Sequence, residues 1–271
     1  MVIEDKFLEG KGALITGGAS GFGKGVADEY AKLGADLVLV DIDEELLIKT
    51  VSELRKKFQS KIISIPCDVS NSEQVQKMTK KAFNELENVY ILFNNAGIGN
   101  IYGPDLLRIK EDIFDSILNT NLRGQWLVAK YVCKKMKRQN IKPLAGKVIC
   151  TASIAGMTFN PKLCAYSISK AGIIALMKML AKTLAPIITV NAISPGYHVT
   201  GIYKTYEAMK ATMDDGNVKT PLNRVGTIDD VVKLMNFLAS DKSNFITGHN
   251  FPIDGGIAEV GVPPNYLDSE I

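Results

Sequence analysis

Residues 11–41 read KGALITGGASGFGKGVADEYAKLGADLVLVD, and their pattern predicts the class of fold. It opens with a short apolar run that predicts a β-strand and leads into the glycine-rich turn at 17–23. A helical pattern follows and stops at Gly34, as at a C-terminal cap. A second apolar run ends on Asp41. Strand, glycine-rich turn, helix and strand together form a βαβ unit, which predicts a parallel sheet.

The turn at 17–23 predicts a dinucleotide site. Its glycines permit tight turning and close backbone approach, and the amino terminus of the following helix offers free N–H groups to a pyrophosphate. Asp41 lies 20 residues after Gly21, where an acid accepts hydrogen bonds from an adenosine ribose.

Asp41 also bears on which dinucleotide binds. Its carboxylate repels a 2′-phosphate, the next residue is Ile42 rather than an arginine, and Ser20 is not basic. Lys24, on the helix just past the glycines, is the one nearby candidate to weaken that repulsion. The sequence therefore favours NAD over NADP.

The alternation of strand and helix continues along the chain. Further strands are predicted at 61–66, 89–93, 147–151, 187–192 and 250–253, and helices at 43–58, 72–86, 111–138, 165–185 and 227–240. Thr227 and Asp230 have the spacing of a capping box at the start of the last helix. We expect an α/β fold, a single Rossmann-type domain over 1–271 with a doubly wound parallel sheet of about seven strands and helices on both faces.

A second stretch, SIAGMTFNPKLCAYSISK at 153–170, predicts chemistry. Tyr166 and Lys170 are four apart, so on a helix they share one face, and an ammonium beside a phenol lowers the pKa of the phenol. Such a tyrosine is a general base, and Ser153, at a strand's carboxyl end, can hold the substrate oxygen. Another Tyr-x-x-x-Lys, at Tyr131 and Lys135, lacks such a serine and fits an ordinary amphipathic helix.

Composition narrows the class of protein. Hydrophobic residues make up 46% and charged residues 23%, and the formal net charge of +3 indicates neither a nucleic acid nor a membrane surface as partner. No stretch approaches 18 consecutive apolar residues and no signal peptide is evident, so we expect a cytoplasmic protein. Two histidines and scattered cysteines predict no metal site. The cysteines are expected to be buried and reduced: Cys67, Cys133, Cys150 and Cys164.

Taken together, the motifs resemble those of the short-chain dehydrogenase/reductase family over about residues 8–256. The cofactor turn of the family resembles Thr16-Gly17-x-x-x-Gly21-x-Gly23, its adenine contact resembles Asp68-Val69, and its sheet-stabilising turn resembles Asn94-Asn95-Ala96-Gly97. Pro195-Gly196 followed by Thr200 resembles the segment that holds the nicotinamide carboxamide. The four catalytic positions of the family fall on Asn121, Ser153, Tyr166 and Lys170.

This resemblance implies roles for the residues. Tyr166 takes the hydroxyl proton, Lys170 lowers its pKa and binds the nicotinamide ribose, Ser153 hydrogen-bonds the substrate oxygen, and Asn121 holds a water of a proton relay. Contacts with NAD are expected from Gly17, Ser20, Gly21, Phe22, Gly23, Asp41, Ile42, Asp68, Val69, Asn95, Ala96, Gly97, Tyr166, Lys170, Pro195, Gly196, Val199 and Thr200. The resemblance also implies a homotetramer, or else a homodimer.

Substrate choice is expected to rest on a lid over about 197–226, whose apolar side chains suit a small or apolar alcohol or ketone, cyclic and steroid alcohols included. Substrate contacts are predicted for Ser153, Tyr166, Tyr197 and Tyr203, whereas His198 is expected to face solvent. Residues 257–271 form a C-terminal extension. Two alternatives stay open: an NADP-dependent 3-oxoacyl reductase and a non-catalytic NAD-binding scaffold.

Overall fold

The computed structural model describes residues 6–99, 105–159, 161–200 and 206–263. Within them, seven parallel strands form one sheet in the order β3-β2-β1-β4-β5-β6-β7. The strands are β1 (Gly12–Thr16), β2 (Asp36–Asp41), β3 (Ile62–Pro66), β4 (Ile91–Asn94), β5 (Gly146–Thr151), β6 (Ile188–Pro195) and β7 (Asn250–Ile253). The predicted Rossmann-type parallel sheet is confirmed.

Helices cover both faces of this sheet. They are α1 (Gly21–Lys32), α2 (Glu44–Lys57), α3 (Ser72–Glu85), α4 (Glu111–Leu118), α5 (Gly124–Met136), α6 (Ala155–Thr158), α7 (Cys164–Leu184), α8 (Tyr206–Lys219), α9 (Ile228–Ala239) and α10 (Ile257–Val260). One apolar core contains residues of α1, α2 and α9, and the other contains residues of α3, α5 and α7.

The sequence of β2 shows why the sheet is covered on both sides. Leu37 and Leu39 point into the core with α1, whereas Val38 and Val40 point into the core with α3. All four side chains are buried. Continuous apolar strands of this kind are typical of parallel sheets with a helical layer on each face.

Polar caps fix where several helices begin. The Asp43 side chain accepts a hydrogen bond from the backbone N–H of Leu46 at the start of α2, at 3.0 Å. At the start of α9 the predicted capping box is confirmed, because Thr227 and Asp230 each accept a bond from the other's backbone N–H.

The predicted helix at 111–138 is interrupted by a π-helical turn, Asn119–Arg123, between α4 and α5. Hydrophobic periodicity does not predict this turn, because a π-turn adds one residue to an otherwise continuous helix. Such turns often mark functional sites, and this one contains the fully buried Asn121.

Helix α7 is long and apolar enough to cross a membrane by length and composition alone, with a mean hydropathy of 1.3 in its most apolar window. It packs against β6 and α6, and its buried side chains include Ile173 and Met177 of the core. Packing in the core accounts for its apolar character, since core helices pass the same test.

The strand order reverses between β1 and β4, which are neighbours in the sheet but far apart in sequence. Open α/β sheets bind ligands at the carboxyl ends of the strands at such a switch point. The glycine-rich turn follows β1, and the Asn94-Asn95-Ala96-Gly97 turn begins at the end of β4. The fold therefore places both motifs at one edge.

Candidate active site

The turn after β1 has a backbone that side chains would obstruct. Gly17 and Gly21 have φ of +65° and +52°, a region that favours glycine. A Cβ at Gly23 would lie 1.9 Å from the carbonyl oxygen of Gly17. Ser20, the N-cap of α1, makes no capping bond through its side chain within the described residues. The amino terminus of α1 is thus suited to accept the pyrophosphate of a dinucleotide.

Asp41 ends β2 beside this turn. Its Oδ2 accepts a hydrogen bond from the backbone N–H of Ala19 at 3.0 Å, and its Oδ1 accepts one from Asp43 at 3.2 Å. The following side chain, Ile42, is 72% exposed. The carboxylate is therefore held against the turn, where the adenosine end of a dinucleotide is expected.

Asn95 joins the ends of three strands. Its backbone N–H and that of Ala96 donate to Thr16 Oγ1 at 2.9 and 3.0 Å, and its side-chain Nδ2 donates to the Thr16 carbonyl at 3.1 Å. Thr151 Oγ1 donates to Asn95 Oδ1 at 3.0 Å. These bonds hold together the carboxyl ends of β1 and β4, which flank the switch point, and of β5 beside them.

The predicted adenine contact lies after β3. The Asp68 carboxylate accepts hydrogen bonds from the backbone N–H and the hydroxyl of Ser70, at 2.8 and 2.7 Å. Val69 is buried in the core. A Cβ at Gly124 would come within 2.9 Å of the Val69 side chain, so α5 packs closely on this loop.

Asn121 binds backbone and side-chain partners with its buried amide. Its Oδ1 accepts a hydrogen bond from the Ile98 N–H at 2.8 Å, and its Nδ2 donates to the Ile98 carbonyl at 2.9 Å and to Ser169 Oγ at 3.2 Å. The π-turn therefore fixes the loop after β4 to α7.

Lys170 and Tyr166 lie on one face of α7, with the Lys170 Nζ 5.4 Å from the centroid of the Tyr166 ring. Lys170 is 3% exposed, and its Nζ donates to the carbonyl of Thr151 at 2.8 Å. Burial lowers the pKa of Lys170 to about 8. A Cβ at Gly97 would lie 3.0 Å from Asn121 Oδ1 and 3.7 Å from Lys170 Nζ, so these three residues converge.

Ser153 follows β5 at the same edge. Its hydroxyl accepts a hydrogen bond from the Ala155 N–H at 3.1 Å and lies 3.5 Å from the Pro195 carbonyl, to which it can donate. Gly196, next to Pro195, donates its N–H to the carbonyl of Ile253 at 2.9 Å. The serine and the predicted nicotinamide segment therefore meet, with Val199 and Thr200 half-buried beyond them.

The prediction that His198 faces solvent is wrong. Its side chain is 5% exposed and packs edge-on against Phe22, with ring centroids 5.3 Å apart. Its Nδ1 lies 3.2 Å from the Gly196 carbonyl, and burial holds the pKa of the imidazole below its ordinary value. His198 thus links the predicted nicotinamide segment to the cofactor turn.

Of the two lid tyrosines predicted to contact substrate, Tyr197 lies within the described residues. Tyr197 donates its hydroxyl to Asp215 Oδ2 of α8 at 2.9 Å, which joins the start of the lid to the helix within it. Tyr203 lies outside the described residues, as do residues 264–271 of the C-terminal extension.

All four cysteines are buried and free, as predicted from their apolar surroundings.

In the second Tyr-x-x-x-Lys, the Tyr131 hydroxyl lies 3.3 Å from Ser72 Oγ, and Lys135 packs over the ring of Phe83. That pair faces α3 rather than the edge where β1 and β4 end.

Comparison with known proteins agrees with this arrangement. A family model described as enoyl-(acyl carrier protein) reductase matches residues 17–258. The 3-oxoacyl-[acyl-carrier-protein] reductase FabG of Thermotoga maritima is 35% identical over 251 residues, which cover 92% of this chain and 98% of that protein. The crystal structure of a short-chain type dehydrogenase/reductase from Mycobacterium marinum superposes with a TM-score of 0.85 at 33% identity, covering 94% of this chain and 98% of that one. The chain belongs to the short-chain dehydrogenase/reductase family.

As a member of this family, the protein is an oxidoreductase that binds a nicotinamide cofactor. It is also similar to an NAD+-bound xylitol dehydrogenase, with a TM-score of 0.82 and 32% identity over 92% of this chain and 99% of that one. The relatives therefore include proteins named for different substrates.

Several contacts of this dehydrogenase/reductase are not predictable from its motifs. The carbonyl of Thr151 and the backbone of Ile98 bind Lys170 and Asn121, but backbone groups leave no mark in a sequence. The position of Ser169 is partly predictable, because it stands next to Lys170 and three residues after Tyr166. At that spacing on a helix its hydroxyl can donate to the carbonyl of Tyr166, as it does in the structure.

Proposed function

We propose that the protein is an NAD-dependent dehydrogenase/reductase that interconverts a secondary alcohol and a ketone. The observation that carries the proposal is the buried Lys170 ammonium 5.4 Å from the Tyr166 ring centroid, at the edge of the sheet that also bears the cofactor turn. A cation held in a buried site favours the phenolate of a neighbouring tyrosine.

Support for a dinucleotide comes from the turn itself. The positive φ of Gly17 and the close approach of Gly23 to its carbonyl leave a backbone surface without side chains next to the amino terminus of α1. In the proposal this surface, Asp41 and the residues after Pro195 hold the cofactor, which supplies the hydride acceptor during alcohol oxidation.

The preference for NAD rests on Asp41. Its carboxylate is fixed by the N–H of Ala19, so it is held near the position expected for the adenosine ribose. A 2′-phosphate there would meet a like charge, worth about 4 kcal/mol for two unit charges at 4 Å and an effective dielectric of about 20. Ribose hydroxyls can instead donate hydrogen bonds to it.

The proposal assigns a chemical role to each of these groups. Tyr166 takes the proton of the substrate hydroxyl, Ser153 hydrogen-bonds the same oxygen, and Lys170 stabilises the phenolate. Asn121 holds the loop containing Ile98 against α7, and thereby orders the surroundings of Lys170. We further propose that the described half-buried methionines of α8, Met209 and Met213, favour a small or apolar substrate.

A second candidate is an NADP-dependent 3-oxoacyl reductase. The name of the Thermotoga relative favours the 3-oxoacyl substrate of this candidate. The two candidates use the same general acid or base and differ in cofactor and substrate. A third, a non-catalytic NAD-binding scaffold, differs from both because it predicts no turnover of any alcohol or ketone.

A pair of tyrosine variants tests the chemistry. Tyr166→Phe removes the proton-accepting hydroxyl and is expected to lower the rate of alcohol oxidation on the order of a thousand-fold, the usual range for general acid–base catalysis. NAD binding, measured by calorimetric titration, should remain within a few-fold of the wild type. Tyr131→Phe, in the second Tyr-x-x-x-Lys, is the matched control and should retain the full rate.

Near-normal turnover by Tyr166→Phe would contradict the assignment of this tyrosine. Equal losses in both variants would show that the effect comes from helix packing rather than from chemistry.

A further inference from the structure

A salt bridge joins α2 to the first turn of α1, next to the cofactor turn. Lys24 Nζ lies 2.6 Å from Glu53 Oε2, and the two side chains are 39% and 40% exposed. One helical turn before Glu53, Thr50 Oγ1 donates to the carbonyl of Ala19 at 2.9 Å. Helix α2 is thus attached to the turn region at two points, one of them charged.

Lys24 is the residue that the sequence identifies as able to weaken the repulsion between Asp41 and a 2′-phosphate. In the structure the ammonium of Lys24 forms an ion pair with the carboxylate of Glu53. The hydrogen bond and the charge of Lys24 hold the pKa of Glu53 below its ordinary value, so the carboxylate is ionised at neutral pH. Glu53 lies 29 residues from Lys24, and the pairing cannot be inferred from the sequence.

We propose that Glu53 is a specificity-determining residue that favours NAD over NADP by pairing with Lys24. The inference rests on the proposed NAD dependence and deepens it. Asp41 supplies the direct repulsion of a 2′-phosphate, and Glu53 acts through Lys24 by cancelling a cation that would otherwise offset this repulsion.

The sign of the effect follows from Coulomb's law. Neutralising Glu53 removes one negative charge and so makes the local electrostatic potential more positive. A more positive potential favours a cofactor with the extra negative charge of a 2′-phosphate. The interaction is screened by salt, because the Debye length falls from about 30 Å at 0.01 M to about 3 Å at 1 M. A purely structural contribution of Glu53 would not depend on salt in this way.

The test is the ratio of the dissociation constants of NAD and NADP, measured by calorimetric titration of the whole protein at low and high ionic strength. Glu53→Gln is expected to shift the ratio toward NADP at least fivefold at low ionic strength, with most of the shift lost at high ionic strength. Adding Lys24→Met to Glu53→Gln should return the ratio to within about twofold of the wild type.

Glu73→Gln is the matched control. Glu73 pairs with Lys77 at 2.7 Å on α3, so the variant removes an equally short ion pair away from the cofactor turn, and the ratio should not change. A ratio in Glu53→Gln within twofold of the wild type would overturn the inference. So would an equal shift in Glu73→Gln, or a shift that does not depend on salt.

These outcomes are distinct from failure of the proposed function. A wild-type protein that binds NADP more tightly than NAD contradicts the proposed cofactor, whatever Glu53 does. A wild-type preference for NAD that Glu53→Gln leaves unchanged contradicts the inference alone.

Discussion

Lys170 is a lysine almost without access to solvent, and its ammonium donates to the backbone carbonyl of Thr151. Burial lowers its pKa to about 8, so in the cofactor-free protein the charge is present at neutral pH and is lost as the pH rises through that value. The Lys170 ammonium therefore stabilises a phenolate at Tyr166 at neutral pH, and this stabilisation is lost as the pH rises above about 8.

Lys170→Met should move the pH dependence of catalysis. Without the ammonium, the phenolate forms only at higher pH, so the rising limb of kcat/KM for alcohol oxidation should shift upward by at least about one unit. The measurement is a pH profile of kcat/KM beside that of Lys135→Met, the matched lysine of the second Tyr-x-x-x-Lys. An unchanged limb in Lys170→Met would show that the ammonium does not set the acidity of the base.

The sequence predicts the position of a side chain when its partner lies a fixed number of residues away on the same helix. Four-residue spacing predicts that Tyr166 and Lys170 share a face of α7, and they do. His198 was not predictable, because its burial depends on Phe22, which lies far from it in sequence. Glu53 has no motif, since only the packing of α2 beside α1 brings it to Lys24.

At the level of elements, caps and periodicity predict α2, α3, α7 and α9 to within about two residues of their ends, whereas α6, α8 and α10 are not predicted. The π-turn at Asn119–Arg123 is not predicted either, because the chain continues in the same helical direction across the one added residue. The start of α9 is held by side chains that the sequence does identify. Asp230 there accepts hydrogen bonds from Arg224 at 2.8 and 2.9 Å and from the Thr227 N–H at 2.8 Å.

Asp230→Ala should lower the free energy of unfolding by about 1 kcal/mol at pH 7, the usual cost of a lost helix cap. Arg224 and Thr227 hold the pKa of Asp230 well below its ordinary value, so its contribution is present above about pH 4 and fades as the pH falls further. Urea denaturation at pH 7 and pH 3 measures both effects.

The neighbouring residue provides the control for that experiment. Asp229 pairs with Lys233 on the exposed side of the same helix, and Asp229→Ala should cost less than half as much because exposed pairs contribute little. Equal losses in the two variants would contradict the role assigned to the cap.

At the scale of the whole molecule, the sheet brings together groups that are distant in sequence. Thr16 and Thr151 end β1 and β5, and Asn95 directly follows β4 between them. Hydrogen bonds join the three residues, and the carbonyl of Thr151 in turn binds Lys170. The parallel topology was predictable from the order of strands and helices. The contacts between strand ends were not, because they depend on the register of β1, β4 and β5.

The sheet also buries a second lysine. Lys147 of β5 is 1% exposed and donates to Ser243 Oγ at 2.9 Å, and burial lowers its pKa to about 8. The unfolded chain has a lysine pKa of about 10.4, so burying the charged group reduces stability fully below about pH 8, and this penalty is relieved as the pH rises from about 8 to about 10.4.

Lys147→Met should raise the free energy of unfolding by about 1–3 kcal/mol at pH 7, with the gain largely gone near pH 10.5, since about two pKa units correspond to roughly 3 kcal/mol at most. Denaturant unfolding at both pH values gives the comparison, with Lys134→Met on the exposed side of α5 as the control. Destabilisation by Lys147→Met at pH 7 would mean that the hydrogen bond to Ser243 outweighs the cost of burial.

The proposed function is tested most directly by the initial rate of cofactor reduction, with NAD and NADP in parallel, on secondary alcohols, vicinal diols, polyols, cyclic alcohols and hydroxysteroids. The fixed carboxylate of Asp41 and the Tyr166–Lys170 pair predict turnover of at least one class with NAD, at a kcat/KM well above that with NADP. A clear preference for NADP would contradict the cofactor assignment and favour a 3-oxoacyl reductase. NAD binding without turnover of any class would contradict the proposed catalysis and favour a binding role.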